Sequence, residues 1–403
     1  MKQIAIIGGG ASGLIAAYYA SKKNCVALFE KQDKIGKKIL ITGNGRCNLS
    51  NKFIDVSHYH GKNPKFVLNI FSKFGLEETT LFFDSIGIPI IELMDGKLYP
   101  ASLQSSTITK IFNYELSKRG VNIKLHSRID KIIPSLSGFK IITAGKDEHQ
   151  FDSVILSTGS CAYPQLGGSR IGYEIALSLK HKVYDPFPVI LPINIPSKIT
   201  HRVQGVKRNC RVRVELKGKL LTESEGELLF TKYGISGPTS LNISRVVNEN
   251  VLQGKSPEII IDLFPHFSNE KLLNHLEKLW KNREKKITFS LIGILNDRIP
   301  ELIINRAGIN PETIVGDLTE VEKKTIVSTL KSFTLLPGKP RSFRDGVTAA
   351  GGVDVDEVNP GTMESKIVKN LYITGELLDI DGDSGGYNLQ FAWSTGAIAG
   401  MSQ

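Results

Sequence analysis

Cysteine is scarce in this sequence, and the placement of the few that occur excludes two kinds of site. Cys25, Cys47, Cys161 and Cys210 lie far apart and form neither a Cys-x-x-Cys pair nor a Cys/His cluster with zinc-site spacing. This pattern argues against a structural metal and against a dithiol redox centre. It is typical of proteins in a reducing compartment, so we expect a cytoplasmic location.

Long apolar runs are also missing. No stretch approaches the roughly 18 apolar residues that would predict a membrane span. The apolar segment after Met1 and Lys2 is only a strand long, which is not the pattern of a signal peptide. The 403 residues, 41% of them hydrophobic and 23% charged, predict a globular protein of several domains with no membrane partner.

Acidic residues are outnumbered by basic ones. The 51 Lys and Arg residues against 40 Asp and Glu give a formal charge of +11. The basic residues are spread along the chain rather than gathered in a tail, so a generally basic proteome or a preference for anionic substrates explains the charge as readily as RNA does. We therefore expect a small-molecule substrate, and a nucleic-acid partner is the less favoured alternative. The sequence does not predict the oligomeric state.

The N-terminal segment carries the most informative motif. A short apolar strand leads into Gly8-Gly9-Gly10-Ala11-Ser12-Gly13, an apolar-faced helix follows, and a second strand ends at Glu30. Gly8 allows the sharp turn, Gly10 lets the backbone approach a pyrophosphate, and Gly13 lets the helix pack closely on the strand. Glu30 is placed to bind ribose hydroxyls and would repel a 2′-phosphate. The motif predicts a dinucleotide site; a ligand-free tight turn is the alternative.

A second glycine pair, Gly385-Gly386, precedes an apolar helix near the C-terminus. The start of a helix carries partial positive charge and free N–H groups. A reduced flavin gathers negative charge near N1 and the C2 carbonyl, so this second helix start favours a flavin over a nicotinamide. Taken alone, these residues fit an ordinary capped helix equally well.

Proline and glycine indicate the domain organisation. Segment 36–51 is so rich in glycine that we expect a loop whose backbone approaches a ligand. Prolines between 186 and 196, and again at Pro337 and Pro340, indicate two crossings between domains. The prediction is an α/β domain made of 1–190 and 341–403, interrupted by an inserted domain at 191–340. Within the insert, 191–250 and 328–340 are predicted to be β-rich and 251–327 mainly helical.

Several long motifs carry a family resemblance. They are the N-terminal fingerprint, the 42–48 loop, 226–238, 359–365, and 371–390 with its Gly-Gly-Tyr-Asn-Leu-Gln run. Together they resemble the BaiN-like family, also called YhiN-like or aminoacetone oxidase-like, of FAD-dependent oxidoreductases, over essentially the whole chain. The resemblance implies a discontinuous glutathione-reductase-like (Rossmann-type) FAD-binding domain, interrupted by a β-barrel-like domain that carries a small helical subdomain.

The resemblance also implies where FAD is held. Glu30 takes the adenosine ribose, Arg128 and Ile129 pass the adenine, and Gly386 to Leu389 meet the isoalloxazine ring. Lys38 and the 42–48 loop lie along the ribityl chain and flavin, while 158–159 and 375–376 border the pyrophosphate and ribityl chain. The predicted cofactor-binding residues are Gly8, Gly10, Ala11, Ser12, Gly13, Glu30, Lys31, Lys38, Thr42, Gly43, Asn44, Gly45, Arg46, Cys47, Asn48, Arg128, Ile129, Thr158, Gly159, Gly375, Glu376, Asp379, Gly386, Tyr387, Asn388 and Leu389.

The sequence departs from the family pattern in two places. Asn44 stands where many members have glycine, and Asn tolerates the left-handed backbone that the loop needs. Arg170 and Ile171 replace a Gly and an Asp in the 167–173 turn, which would alter substrate choice if that turn touches substrate. Arg46 is expected beside the flavin, with capping of its own loop as the alternative.

Two further interpretations concern reactive side chains. For Cys47, packing is favoured over redox chemistry because no partner cysteine is near in sequence. None of the eight histidines lies in a recognisable catalytic or metal motif, so each is expected at the surface or in the core.

These observations predict an FAD-dependent oxidoreductase that transfers hydride between flavin N5 and a small molecule. The reaction is either NAD(P)H-driven reduction of an activated C=C bond or oxidation of an amine with oxygen as acceptor. Catalytic residues are not assigned, because a flavin needs few acids or bases from the protein. A single fingerprint leaves no separate NAD(P)H domain. The alternatives are an RNA-modifying flavoprotein and a non-catalytic flavin-binding sensor or interaction protein.

Overall fold

The computed structural model describes residues 1–197 and 199–403. The chain forms two compact units, a first unit of Met1–Pro188 with Gly346–Gln403 and an inserted unit of Val189–Asp345. The sequence-based prediction placed the junctions at 190/191 and 340/341.

In segment 1–188 the strands are β1 (Gln3–Ile7), β2 (Cys25–Phe29), β3 (Ser50–Asn51), β4 (Tyr59–His60), β5 (Ile90–Glu92), β6 (Lys97–Pro100), β7 (Asn122–Lys124), β8 (Ile129–Ser135), β9 (Gly138–Thr143), β10 (Glu148–Phe151), β11 (Ser153–Leu156) and β12 (Val183–Val189). The helices of this segment are α1 (Ala11–Ala20), α2 (Lys37–Ile41), α3 (Phe66–Phe71), α4 (Leu76–Ser85), α5 (Ser105–Lys118) and α6 (Ile171–Ser178).

The inserted unit contains strands β13 (Ile193–Asn194), β14 (Lys207–Leu216), β15 (Lys219–Thr231), β16 (Gly234–Ser236), β17 (Glu258–Asp262) and β18 (Phe333–Leu335). Its helices are α7 (Ile199–Arg202), α8 (Pro238–Leu252), α9 (Asn269–Leu279), α10 (Ile287–Ser290), α11 (Ile299–Arg306) and α12 (Glu320–Lys331). The chain then returns to the first unit with β19 (Thr348–Val353), β20 (Leu371–Ile373), β21 (Asp381–Gly382) and α13 (Tyr387–Met401).

A parallel sheet with strand order β20-β11-β1-β2-β7 forms the centre of the first unit. Its inner strands are continuous apolar runs, and residues 4–7 and 154–156 are buried, as expected for a parallel sheet covered on both faces. Because parallel strands present their carboxyl ends at one edge, the turns after β1, β2, β11 and β20 meet there.

The first and last helices pack closely together. A Cβ atom on Gly396 would lie 2.2 Å from the Ser12 carbonyl oxygen, and one on Gly400 would lie 2.5 Å from that of Ala16. Glycine at these two positions of α13 therefore lets its backbone approach α1 more closely than any other residue would allow. The fingerprint helix is held in place by the C-terminal helix.

The inserted unit is built on an antiparallel sheet with strand order β13-β16-β15-β14-β17-β18. Its core consists of aliphatic residues from the sheet together with residues of α8, α9, α11 and α12. Helix α8 falls in the stretch predicted to be β-rich. Pro238 occupies its first turn and Ile243 and Val247 form a buried i, i+4 pair, a helical period that the surrounding strand patterns obscured.

Segment 36–51, predicted to be a loop, contains a short helix. Helix α2 begins after Gly36, whose φ is +68°, and ends before Thr42. The glycines of this segment lie before and after the Lys-Lys-Ile-Leu-Ile run rather than inside it, so they bound a helix instead of preventing one. Across 1–197 and 199–403, the helices are all too short or too polar to cross a bilayer.

Candidate functional site

The three fingerprint glycines differ in what surrounds them. A Cβ on Gly8, whose φ is +110°, would lie 2.3 Å from the Ser157 carbonyl oxygen, and one on Gly13 would lie 1.9 Å from that of Gly8. A Cβ on Gly10 would have no described atom within 4 Å. Gly8 and Gly13 are therefore required by close packing within the protein. Gly10 is not, and its backbone at the start of α1 is open to a ligand. No side chain caps that helix start among the described residues, which leaves its first N–H groups available to an anion.

Glu30 is fixed beside the fingerprint. Its Oε2 accepts a hydrogen bond from the Gly9 N–H at 2.8 Å, and its Oε1 accepts one from the Gln32 N–H at 2.8 Å. Two backbone donors hold the carboxylate at the carboxyl end of β2, where the sequence placed it.

The 167–173 turn also lies at this end of β2. Lys31 Nζ donates to Ser169 Oγ at 2.6 Å, and a Cβ on Gly167 would lie 3.1 Å from the Gln32 side chain. Burial is the main reason that the pKa of Lys31 is lowered. Arg170 pairs with the exposed Asp185 at 2.6 Å. The contacts of this turn thus include the residues next to Glu30.

The 42–48 loop has an unusual backbone. Gly43, Asn44, Gly45 and Cys47 all have left-handed φ values, between +55° and +81°. Asn44 adopts the left-handed backbone that its side chain was expected to tolerate. A Cβ on Gly45 would have no described neighbour within 4 Å, so the loop presents open backbone there.

The side chains of this loop have distinct surroundings. Arg46 is exposed, donates to the Gly43 carbonyl at 3.3 Å and lies 5.2 Å from the Tyr99 ring centroid, so it caps its own loop. Burial raises the pKa of the Cys47 thiol to about 12, which keeps it protonated at neutral pH. Asn48 is 9% exposed, and its Oδ1 has no hydrogen-bond partner within the described part of the chain.

Lys38 and Glu376, 338 positions apart, form the central polar contact. Lys38 Nζ lies 2.8 Å from Glu376 Oε2, which also accepts from Ser160 Oγ at 3.1 Å, while Thr348 Oγ1 donates to Oε1 at 2.6 Å. Burial alone raises the pKa of the Glu376 carboxyl, but the charge and hydrogen bond of Lys38, with the two hydroxyl donors, outweigh it and lower the pKa overall. Glu376 is therefore an anion with fixed donors.

The neighbouring turns close around the fingerprint. A Cβ on Gly375, whose φ is +66°, would lie 2.7 Å from Ser12 Oγ, and the Gly375 N–H donates to Thr395 Oγ1 of α13. Thr158 Oγ1 is buried without a hydrogen-bond partner in residues 1–197 and 199–403, and Gly159 has a φ of +67°. The structure thus brings 8–13, 158–159 and 375–376 together.

The start of α13 is anchored by backbone contacts. A Cβ on Gly386, whose φ is +106°, would lie 2.4 Å from the Ser50 carbonyl oxygen. Asn388 Oδ1 accepts from the Gly382 N–H at 2.8 Å, and its Nδ2 donates back to the Gly382 carbonyl at 2.7 Å. The Tyr387 carbonyl accepts from Tyr59 OH. Within the described residues, no side chain caps this helix start either.

Three predicted residues are engaged elsewhere. Arg128 is exposed and pairs with Asp130 at 2.8 Å, whereas Ile129 is buried in β8. Asp379 is buried, and its Oδ2 accepts from the Lys62 N–H at 2.9 Å.

One polar cluster was missed from the sequence. Asp383 accepts hydrogen bonds at both carboxylate oxygens, from His58 Nδ1 at 2.9 Å and from His60 Nε2 at 2.8 Å. The His58 ring stacks on Tyr387, with centroids 4.3 Å apart and planes 20° apart. Burial alone raises the pKa of Asp383, but the two histidines outweigh it and lower the pKa. Two sequence features could have indicated this cluster. They are the His-x-His spacing and the acid just before Gly385-Gly386.

These features fit FAD. The uncapped starts of α1 and α13 supply hydrogen-bond donors. The open backbone at Gly10 and Gly45 leaves room for a dinucleotide and a ring. The buried oxygens of Asn48 and Thr158, which have no described partner, supply acceptors. No group of three His, Cys, Asp or Glu side chains in 1–197 and 199–403 is arranged to hold a metal ion.

Comparison with known proteins decides the family. The model of the HI0933-like protein Rossmann domain matches residues 2–402. The chain belongs to the HI0933-like family. It is 34% identical to the 3-dehydro-bile acid delta(4,6)-reductase of Clostridium scindens, with 100% of this chain and 99% of that protein aligned. It is 29% identical to the ribosomal RNA dihydrouridine synthase of Haemophilus influenzae, with 98% and 97% aligned.

A solved structure agrees on the fold. The 3-ketosteroid delta1-dehydrogenase of Sterolibacterium denitrificans gives a TM-score of 0.52 at 11% identity, with 99% of both chains covered. This HI0933-like chain has that Rossmann-type fold, and its family membership together with the 34% identical relative makes it an FAD-dependent oxidoreductase. The family resemblance drawn from its motifs is confirmed.

Proposed function

We propose that this protein is an NAD(P)H-dependent reductase that saturates a C=C bond conjugated to a carbonyl group in a small molecule. The observation that carries the proposal is the reaction that its relatives' names share. A bile acid delta(4,6)-reductase and a dihydrouridine synthase both add two hydrogens across such a bond. Reduction is thereby favoured over amine oxidation.

The residues proposed to hold FAD are those predicted from the sequence. The start of α1 with Gly10 would bind the pyrophosphate, Glu30 the adenosine ribose, and Lys38 with Glu376 the ribityl hydroxyls. Asn48 Oδ1, a buried acceptor without a described partner, would accept a hydrogen bond from the isoalloxazine edge. Arg128 and Asp379 would contribute through their backbone, because their side chains are engaged elsewhere.

Bound FAD would supply hydride transfer at N5. The protein supplies electrostatics, since the partial positive charge of the α13 start favours the negative charge of a reduced flavin. The neutral Cys47 thiol contributes packing rather than electron relay. With one dinucleotide fingerprint in the sequence, NAD(P)H and substrate would use the same open flavin face in turn. We further propose that the protein works in the cytoplasm, where NAD(P)H is available.

An anaerobic experiment tests this function. Purified protein loaded with FAD is mixed with NADH or NADPH, and the flavin absorbance band is followed, after which cyclohexenone or a steroid dienone is added. We expect bleaching by one nicotinamide and recovery of the band with the enone. Bleaching by primary amines with no response to NAD(P)H would contradict the reductase and support an oxidase.

RNA is the second candidate substrate, favoured by one observation besides the relatives' names. The inserted unit carries 25 Lys and Arg against 17 Asp and Glu, a charge of +8, and the first unit carries 26 against 23, a charge of +3. If RNA is the substrate, total rRNA should reoxidise the reduced flavin, and dihydrouridine should form in the RNA. Binding should also weaken steeply with salt. Enone turnover without any effect of rRNA would exclude this candidate.

A further inference from the structure

We propose that His58 is the proton donor of the reduction, an inference that rests on the proposed function. Saturating a conjugated C=C bond adds a hydride to one carbon and a proton to the other, and the π bond is replaced by two C–H bonds. The hydride brings both electrons and is the part that FAD and NAD(P)H supply. The proton must come from an acid beside the substrate, and His58 Nε2 would give it and regain it from solvent.

Hydrogen bonding sets the tautomer of His58. Asp383 is ionised, since its pKa is lowered, and a carboxylate can only accept hydrogen bonds. The proton of the neutral imidazole therefore lies on Nδ1, 2.9 Å from Asp383 Oδ2. A second proton can then be carried only on Nε2, which makes no hydrogen bond to a described residue. A histidine oriented by a carboxylate in this way is a common general acid.

The location of His58 matches the proposed flavin position. Its ring lies against Tyr387, the first residue of α13, next to the Gly385-Gly386 turn that is proposed to meet the isoalloxazine. The Asp383 N–H also donates to the His58 carbonyl at 2.9 Å. Ring stacking, a side-chain hydrogen bond and a backbone hydrogen bond thus hold the imidazole against segment 383–387, which is proposed to contact the flavin.

Exposure separates His58 from a purely structural histidine. Its side chain is 35% exposed, so a substrate can reach it and solvent can reload it. The side chain of His181 also pairs with a carboxylate, Glu357 Oε2 at 2.9 Å, but it is 0% exposed and holds Ser365 Oγ on its other nitrogen. Both ring nitrogens of His181 form hydrogen bonds. Nε2 of His58 forms none with a described residue and is therefore available to a substrate.

Charged and titratable groups face His58 from several neighbouring positions of the described chain. Asp383 lies at Nδ1, Asp55 acts on it from the preceding turn, Tyr387 stacks on its face, and His60 shares the Asp383 carboxylate. A proton donor at this position predicts that the reoxidation rate falls with rising pH, because the acid form is then depleted.

The test separates the two half-reactions of the FAD-loaded protein. Wild type, His58→Gln and His266→Gln are photoreduced anaerobically and mixed with cyclohexenone over a range of pH. His266 is the matched control, an exposed histidine 3.4 Å from Glu225 in the inserted unit. We expect His58→Gln to slow reoxidation by roughly 100-fold or more and to abolish its pH dependence, with His266→Gln like wild type. Reduction by NAD(P)H should be unchanged in all three.

The outcomes distinguish failure of the proton donor from failure of the reductase. If the wild-type flavin is not reoxidised by enones, the proposed function fails. If it is reoxidised and His58→Gln reacts as fast with the same pH profile, the assignment of His58 is overturned. Histidine ¹⁵N spectra of the FAD-loaded protein give an independent readout. They should show the Nδ1–H tautomer of His58 and its loss in Asp383→Asn, and an Nε2–H tautomer in wild type contradicts the proposal.

Discussion

The two units of this protein divide chemistry and charge between them. The first unit is nearly balanced in charge yet contains the fingerprint, the Lys38–Glu376 pair and the His58–Asp383 contact. The inserted unit carries most of the net positive charge and a core that is mainly aliphatic. The comparison teaches that net charge alone does not indicate the proposed cofactor site, which is marked instead by close backbone approaches and buried polar atoms.

The largest expected effect comes from two glycine substitutions in the same turn. Gly13→Ala places a methyl group 1.9 Å from a backbone oxygen and should cost about 3 kcal/mol of unfolding free energy, with loss of FAD. Gly10→Ala meets no described atom, so stability of the FAD-free protein should be unchanged while FAD affinity falls roughly tenfold. Urea unfolding and flavin titration measure both. Equal destabilisation by the two variants would contradict the distinction between packing and ligand approach.

Matched ion pairs sharpen the contrast between the units. Lys38→Met leaves Glu376 without its cation and should cost about 1–3 kcal/mol, because both side chains are mostly buried. Lys331→Met removes the partner of Asp262, 2.6 Å away and similarly buried in the inserted unit. We expect comparable losses in urea unfolding but a loss of FAD affinity only for Lys38→Met. Weakened FAD binding in Lys331→Met would argue against the assignment of the site to the first unit.

A pH effect on stability should arise in the first unit. Burial is the main cause of the lowered pKa of His181, although Glu357 opposes it. His181 therefore binds a proton more readily in the unfolded chain than in the folded protein. The free energy of unfolding should keep its full value above about pH 6.5 and decline as pH falls toward the lowered pKa of the folded state. Urea unfolding at several pH values should show this decline in wild type. A His181→Gln variant with the same slope would assign the decline to other groups.

The smallest effect is expected from surface charge on the inserted unit. Lys281 and Lys285 are both exposed, and reversing them to Glu should leave stability within about 0.5 kcal/mol and enone reduction unchanged. A matched reversal at the exposed Lys110 and Lys118 of the first unit serves as control. A selective loss of rRNA binding or reduction in the Lys281/Lys285 variant would instead favour the RNA candidate.

Much of the fold and part of the site could be predicted from the sequence. The requirements at Gly8, Gly13 and Asn44 are local, because a turn or left-handed backbone restricts the residue type by itself. The pairing of Lys38 with Glu376 spans 338 positions and that of His58 with Asp383 spans 325, and neither follows from local patterns. Helix α2 was missed because its short run lies between glycines. Helix α8 was missed because strand-like patterns surround its helical period.

The close packing of Gly396 and Gly400 on α1 has a consequence for how the protein is made. Helix α13 supplies one wall of the proposed flavin site, and it is synthesised almost 380 residues after the fingerprint that it covers. The inserted unit is continuous in sequence and can fold while that helix is still inside the ribosome. If α13 forms part of the flavin site as proposed, we expect FAD to bind late, after α13 has emerged and covered the fingerprint helix.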